Sequence, residues 1–309
     1  MNTNILDKPI LKELGEASIR LARGAGALLM HYKPGTTKVH YKDDKQTNPV
    51  TEVDLKVEEY LKEELLREFP NHGIVGEESS NTGNDNADFI WALDPLDGTA
   101  NFAAGLPFYA VSIGLLYKGI PVVGSMFLPT TSFNNGVYHA QIGNGSFLER
   151  TPLSVVSNRL PHPSGLASVP AGYRGSFSFK KGGGMGEVRT MGSIAHEMAL
   201  VASGVLQYSI FTGSHIWDVA SGIVLIREAG GEILEWRSGK WMTFQNFVNN
   251  SEKNSKGHYQ LFRSRGAPLL VGAPEIINHI SSRIRVKTGP LNSLLNKLGV
   301  FKPNTHSNH

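Results

Sequence analysis

Residues 92–102 read ALDPLDGTANF, an apolar run ending in two aspartates three residues apart, Asp94 and Asp97, with Pro95 and Gly98 beside them. Proline and glycine at those places mark a turn, and Thr99 stands where a helix can begin. The preceding FIWALD (89–94) has the apolar content of a buried strand. Acids closing such a strand have two readings. They are turn chemistry in a polar loop, or they mark a place where something positively charged sits.

The same pattern recurs along the chain. GEES (76–79) puts Glu77 and Glu78 after another apolar segment, TEVD (51–54) puts Asp54 at a helix start, and WDVASGIVLIREAGG (217–231) does the same with Asp218. Each has an ordinary explanation: Thr51 to Asp54 is a capping-box pattern, and Asp218 a first-turn acid that favours the helix dipole. If these strand ends and helix starts converge, four or five carboxylates share one cavity. Two unit charges about 4 Å apart repel by about 4 kcal/mol even at an effective dielectric of about 20. Such a cluster needs cations, and oxygen donors without Cys or His select Mg²⁺, Mn²⁺ or Ca²⁺.

Periodicity predicts helices over 8–31 (Leu11, Leu14, Leu21, Leu28) and over TEVDLKVEEYLKEELLREF (51–69), with Val53, Val57, Tyr60, Leu61 and Leu65 on one side. YAVSIGLLYKGIPVVGSMFLP (109–129) reads as two strands joined at Lys118-Gly119, and NGVYHAQIGNGSFLE (135–149) as a hairpin. The second half alternates differently, with a helix near 193–204, a strand near 205–211 and a helix from Trp217. Helices followed by antiparallel strands, then mixed elements, predict an α+β or layered α/β fold. The stretch VNNSEKNSKGHYQ (248–260) reads as an exposed loop, and 296–309 as a flexible tail. The domain expectation is one unit over 1–295 with two pseudo-halves, about 1–150 and about 151–295.

With 309 residues, net charge +3, 40% hydrophobic and 18% charged residues, the composition is globular. Lys and Arg are scattered, which argues against a nucleic-acid partner, and no apolar run is long enough for a membrane span. The absence of cysteine removes thiolate catalysis, disulfides and cysteine-ligated zinc, and fits a cytoplasmic protein. GAGALL (24–29) lacks the setting of a dinucleotide fingerprint, KGGGMG (181–186) is no phosphate-binding P-loop, and HEMAL (196–200) lacks the second histidine of a zinc-protease helix.

Taken together, GEES, LDPLDGTANF and WDVASGIVLIREAGG resemble the inositol monophosphatase family of Mg²⁺-dependent, lithium-sensitive phosphomonoesterases, from Asp54 to PLLVGAPEI (268–276). The resemblance implies an αβαβα sandwich of the inositol monophosphatase and fructose-1,6-bisphosphatase type, usually a homodimer, acting on a small phosphorylated metabolite. It implies that Glu77, Asp94 and the Leu96 carbonyl bind a first Mg²⁺, that Asp94, Asp97 and Asp218 bind a second, and that a third, weaker ion lies near Glu77, with Mn²⁺ a possible substitute. Asp54 and Thr99, with Glu77, would orient and deprotonate the attacking water. Asp97, Gly98, Thr99, Ser193, Ile194 and Asp218 would face the substrate.

The branch that hydrolyses inositol monophosphates commonly has a glutamate seven residues before the Trp-Asp aspartate; here that position is Phe211. An aromatic cannot accept hydrogen bonds from inositol hydroxyls, so Phe211 either stacks on a ring or belongs to the core, the latter being preferred. Three readings follow: an inositol 1-phosphate phosphatase; the same catalyst acting on 3′-phosphoadenosine 5′-phosphate, histidinol phosphate or fructose 1,6-bisphosphate; or a non-catalytic scaffold of the same fold. The scaffold reading expects a lost metal acid, and none is lost.

Overall fold

The structure, a computed structural model, describes residues 6–36, 39–41, 49–78, 82–83, 87–129, 136–157, 160–180, 185–253, 259–261 and 267–287. Among these, the elements stack in five layers. The outermost helices, Lys8–Met30 and Glu52–Glu68, lie on a sheet whose spatial order is Thr151–Pro152, Ser146–Leu148, Gly136–Gln141, Ile120–Leu128, Ala110–Tyr117, Phe89–Asp97, Gly73–Gly76 and Thr82–Gly83. The helices Ile194–Ala202 and Ile216–Glu228 form the middle layer. A second sheet follows, in the order Glu187–Arg189, Leu166–Ser168, Leu206–Phe211, Leu269–Gly272, Glu232–Arg237 and Lys240–Thr243, and the helix Pro274–Ser281 covers its far face. This is the αβαβα sandwich expected from the sequence. No described helix is long and apolar enough to cross a membrane.

Side-chain size on one strand explains the layering. Along Ala110–Tyr117, Val111, Ile113 and Leu115 point into the core beneath the two outer helices. The alternate positions, Ala110, Ser112 and Gly114, turn toward the middle helices, because successive side chains of a strand face opposite ways. Gly114 pairs directly with Gly124 of the neighbouring strand. A Cβ on Gly114 would lie 2.6 Å from Ala220 Cβ, and one on Gly124 would lie 2.8 Å from Ser221 Cα. The helix Ile216–Glu228 therefore rests on a bare patch of backbone. Ser112 Oγ completes the contact, donating to the Trp217 carbonyl at 3.1 Å while lying 2.6 Å from Ser221 Oγ.

Two details depart from the sequence expectations. The first sheet is antiparallel except for one parallel pair, Gly73–Gly76 with Phe89–Asp97, joined across the short strand Thr82–Gly83. The stretch expected as an exposed loop over 248–260 contains the paired strands Val248–Lys253 and Tyr259–Leu261; its polar residues lack the alternation that announces a strand. Residues 181–184 of KGGGMG and the whole 296–309 tail lie outside the described residues. GAGALL, by contrast, falls inside the first helix, where Gly26 approaches Phe127.

A methyl group between this helix and the sheet has no room. Gly124→Ala is expected to lower stability by about 3 kcal/mol, the upper range for overpacking against a layer that cannot move aside, measured as a shift in the urea midpoint. A midpoint unchanged from wild type would contradict the close-contact account.

Candidate active site

The opening acids face the same way only because the strand is irregular. Residues three apart on a regular strand point to opposite faces. Here Asp94 pairs with Ser112 and Asp97 with Ala110, three residues against two, so the strand carries one extra residue between the acids. That bulge turns both carboxylates toward one cavity. Asp94 is buried, with Oδ1 accepting from the Leu96 amide at 3.1 Å. The chain then turns at Gly98, whose φ of 91° lies in the left-handed region. A Cβ there would also meet the Phe108 carbonyl oxygen at 2.7 Å.

Register brings the next acid in. Gly76 pairs in parallel with Leu93, and the Glu77 amide donates to the Leu93 carbonyl at 3.2 Å, so Glu77 lies beside Asp94. Asp218 arrives on the third residue of the helix seated on the glycine pair, where its Oδ2 caps that helix by accepting from the His215 amide at 2.7 Å. Asp54 holds the same position in the helix Glu52–Glu68, in a capping box with Thr51. Its Oδ2 accepts from the Thr51 amide at 2.9 Å and from the Thr51 hydroxyl at 2.5 Å, while Oδ1 accepts from Thr99 Oγ1 at 2.9 Å. Thr99 Oγ1 also lies 3.0 Å from the Leu96 carbonyl. Both acids cap their helices, and Asp218 also lines the cavity described next.

Glu77, Asp94, Leu96, Asp97, Gly98, Thr99 and Asp218 line one cavity of about 440 Å³, together with Ala100, Gly192, His215 and Trp217. Asp54 stands behind Thr99. Ser193 and Ile194, expected against the substrate, hold Asp97: the Ser193 hydroxyl at 2.7 Å, the Ala195 amide at 2.5 Å and the Ile194 amide all donate to it. Phe211 is 3% exposed and packs in the core with the middle helices, so the core reading of that residue holds. His215 and Trp217 carry no role in the sequence reading, yet their rings stack in parallel at 4.7 Å on the cavity wall. Their signal was available, since both flank the helix start that delivers Asp218.

Electrostatics gives the cavity its character. Burial, followed by the charges of Glu77, Asp97 and Asp218, pushes Asp94 well above the usual carboxylate range. Asp218 is raised by burial and then by Asp97. Asp97 is pushed up to about 6 by burial, against the donations from Ser193 and Ala195. Asp54 is raised by burial, against its hydrogen bonds from Thr51 and Thr99. Among the described residues, no Lys or Arg lines the cavity. Among the described residues no three acids already close around one point; Asp94, Asp97 and Asp218 each spend an oxygen on a protein donor. An all-oxygen donor set with unbalanced negative charge fits hard divalent cations. What enters this site must bring positive charge with it.

Comparison with known proteins agrees. A model of the inositol monophosphatase family matches residues 10–267. The chain is 32% identical over 259 residues to "Inositol monophosphatase 2" of Saccharomyces cerevisiae, covering 77% of this chain and 87% of that one. It is 31% identical over 231 residues to "Fructose-1,6-bisphosphatase/inositol-1-monophosphatase" of Aquifex aeolicus, covering 72% and 85%. Among solved structures, the extragenic suppressor protein suhB from Bartonella henselae superposes with a TM-score of 0.69 at 25% identity, over 87% of this chain and 97% of that one.

The raised carboxyls fix the sign of a pH effect. A carboxyl whose folded-state pKa exceeds its unfolded value stabilises the fold when protonated, and that contribution disappears as pH rises through the folded value. In the presence of a chelator, the urea midpoint is therefore expected to rise as pH falls from about 7 to about 5, the interval in which Asp97, pushed up to about 6, takes up its proton. Asp94→Asn should be more stable than wild type at the upper pH, with a flatter profile. A wild-type midpoint that falls over this interval, with Asp94→Asn destabilised, would contradict the account.

Proposed function

The chain belongs to the inositol monophosphatase family, whose members are metal-dependent phosphomonoesterases, and from that premise we propose that it hydrolyses a small phosphate monoester of the inositol 1-phosphate type with Mg²⁺. The observation that carries the reading is a cavity walled by four carboxylates and, among the described residues, by no basic side chain. A phosphate dianion cannot enter such a cavity unless cations accompany it.

Glu77, Asp94 and the Leu96 carbonyl would hold one Mg²⁺. Asp94, Asp97 and Asp218 would hold a second, with Asp94 shared, and a weaker third would lie beside Glu77. Mn²⁺ would serve in place of Mg²⁺. Bound divalent ions would supply positive charge to the phosphate oxygens and lower the pKa of the attacking water.

The remaining work falls to the chain itself. When the Thr99 hydroxyl donates to Asp54, its own lone pairs remain able to accept from a water in the cavity. As that water attacks phosphorus and the ester P–O bond breaks, the water proton would pass to Thr99 Oγ1 while the Thr99 proton passes to Asp54, and the departing alkoxide would take a proton from solvent water and leave as the alcohol. Asp54 suits this task because burial raises its affinity for a proton. Glu77 would orient the water from across the cavity. The Gly98 and Thr99 amides would hold phosphate oxygens, and Asp97 and Asp218 would border the phosphate. Ser193 and Ile194 would act through Asp97, which they hold in place.

Selectivity for the alcohol is expected to be modest. Phe211 lies in the core, so no carboxylate at that position binds polyol hydroxyls. A second reading, the same chemistry on fructose 1,6-bisphosphate or another small phosphate, draws support from this burial and from the double name of the Aquifex aeolicus relative. We also infer a cytoplasmic homodimer with lithium-sensitive activity, without nucleic-acid or membrane partners, and a single domain over 1–295 with two pseudo-halves.

Phosphate release tests the reading directly. With Mg²⁺, inositol 1-phosphate should be turned over and lithium should inhibit. Discrimination against fructose 1,6-bisphosphate, histidinol phosphate and 3′-phosphoadenosine 5′-phosphate should stay below about a hundredfold, because no buried polar partner enforces more. Asp94→Asn should lose at least about a thousandfold in kcat while remaining folded. Activity persisting in Asp94→Asn, or turnover unaffected by a chelator, would overturn the assignment.

A further inference from the structure

One side of the cavity is formed by backbone rather than by side chains. Gly192 lines it, in the turn Met191–Ser193 that precedes the helix Ile194–Ala202. Two side chains outside the proposed metal and proton machinery hold this turn. Asn101, on the short helix Thr99–Ala104, donates through Nδ2 to the Met191 carbonyl at 2.7 Å and to the Phe108 carbonyl at 2.6 Å. Glu197 accepts through Oε1 from the Met191 amide at 3.0 Å and from the Gly192 amide at 3.3 Å. Both polar groups of Met191 and the amide of Gly192 are thereby fixed. Gly192 has φ 78°, in the left-handed region, and a Cβ there would reach Asn101 Nδ2 at 3.4 Å.

The helix that follows does not need this arrangement. Ser193 already caps it, accepting from the His196 amide at 3.2 Å. A carboxylate buried to 5% exposure is a costly way to satisfy two amides of a turn. What Glu197 and Asn101 achieve is a turn held from two directions. One anchor sits two residues after Thr99, at the phosphate end; the other belongs to the middle helices. The turn so held is the cavity wall beyond Asp97, whose Oδ2 accepts from the next residue, Ser193.

The geometry points to Asn101 and Glu197 as positioning residues that fix the Met191–Ser193 wall against the leaving alcohol of the substrate, and so set which alcohols are accepted. The inference rests on the phosphomonoesterase reading above and names the part of the same cavity that reads the alcohol. Because the wall presents backbone rather than a carboxylate, it suits a compact polyol held by shape and by peptide groups. Neither residue handles the phosphate or the proton. Their loss should therefore weaken binding of a large alcohol and leave the chemical step alone.

The test compares kcat and KM for inositol 1-phosphate with those for ethyl phosphate, whose leaving group is too short to use the wall, in the full-length Mg²⁺-loaded enzyme. Glu197→Ala is expected to raise KM for inositol 1-phosphate about tenfold, with kcat within about threefold and KM for ethyl phosphate within about twofold. Glu197→Gln keeps an acceptor oxygen and should restore the wild-type KM, while Asn101→Ala should repeat the Glu197→Ala pattern. A merely structural role would shift both substrates together. Equal KM changes for the two esters, or an unchanged inositol 1-phosphate KM in a folded variant, would overturn the inference. If Glu197→Ala does not fold, Asn101→Ala decides by the same criterion. Wild-type turnover of other monoesters but not of inositol 1-phosphate would refute the substrate reading alone, and the comparison then uses the best of those esters against ethyl phosphate. A wild type inert on every ester would refute the proposed function and this inference with it.

Discussion

Mutual repulsion among buried carboxylates is the constraint around which this protein is built. Left to themselves, Glu77, Asp94, Asp97 and Asp218 would spread apart or protonate, and burial first, with the neighbouring acids' charges added to it, raises the affinities of three of them for protons. The fold holds them together with backbone. A bulge rotates Asp97 to the side of Asp94, a parallel register sets Glu77 next to both, and a glycine pair lets a helix approach closely enough to deliver Asp218. Each device belongs to the interior of a layer. The backbone positions of the acids are therefore set by the layers themselves.

The capping boxes give the same lesson at smaller scale. Asp54 and Asp218 each occupy the third residue of a helix and each accept from the amide at its cap. A cap normally contributes about 1 kcal/mol to a helix. Here it also fixes which way a carboxylate points. Asp54 turns one oxygen to Thr51 and the other to Thr99, so the stabilising bond is also what aims the proton acceptor. Under the proposed function, stability and chemistry would share the same atoms, so a local explanation of these acids does not exclude a chemical one.

Much of this was legible in the sequence, and the remainder was hidden for physical reasons. Acids recurring at strand ends and helix starts named Asp54, Glu77, Asp94, Asp97 and Asp218, and the aromatic at 211 foretold a core residue in place of a polyol ligand. What could not be read was anything set by long-range register. The Gly114–Gly124 pairing looks like two unrelated glycines until the strands are aligned. That Ser193 and Ile194 donate to Asp97 is equally hidden, because their partner lies almost a hundred residues earlier in the chain. Glu197 sat in a helical stretch inspected only for a zinc motif. The strands at 248–253 and 259–261 were missed because polar residues carry no period to read.

The central claim is that Asp94, Asp97 and Asp218 together hold a divalent ion that none of the chain's own cations replaces. Anomalous diffraction from crystals soaked in Mn²⁺ tests it most directly. A manganese peak within bonding distance of all three carboxylates, with Asp94 also ligating a second peak on the Glu77 side, is the result expected. An acidic cavity that stays empty of manganese, or manganese bound only elsewhere on the molecule, would contradict the account.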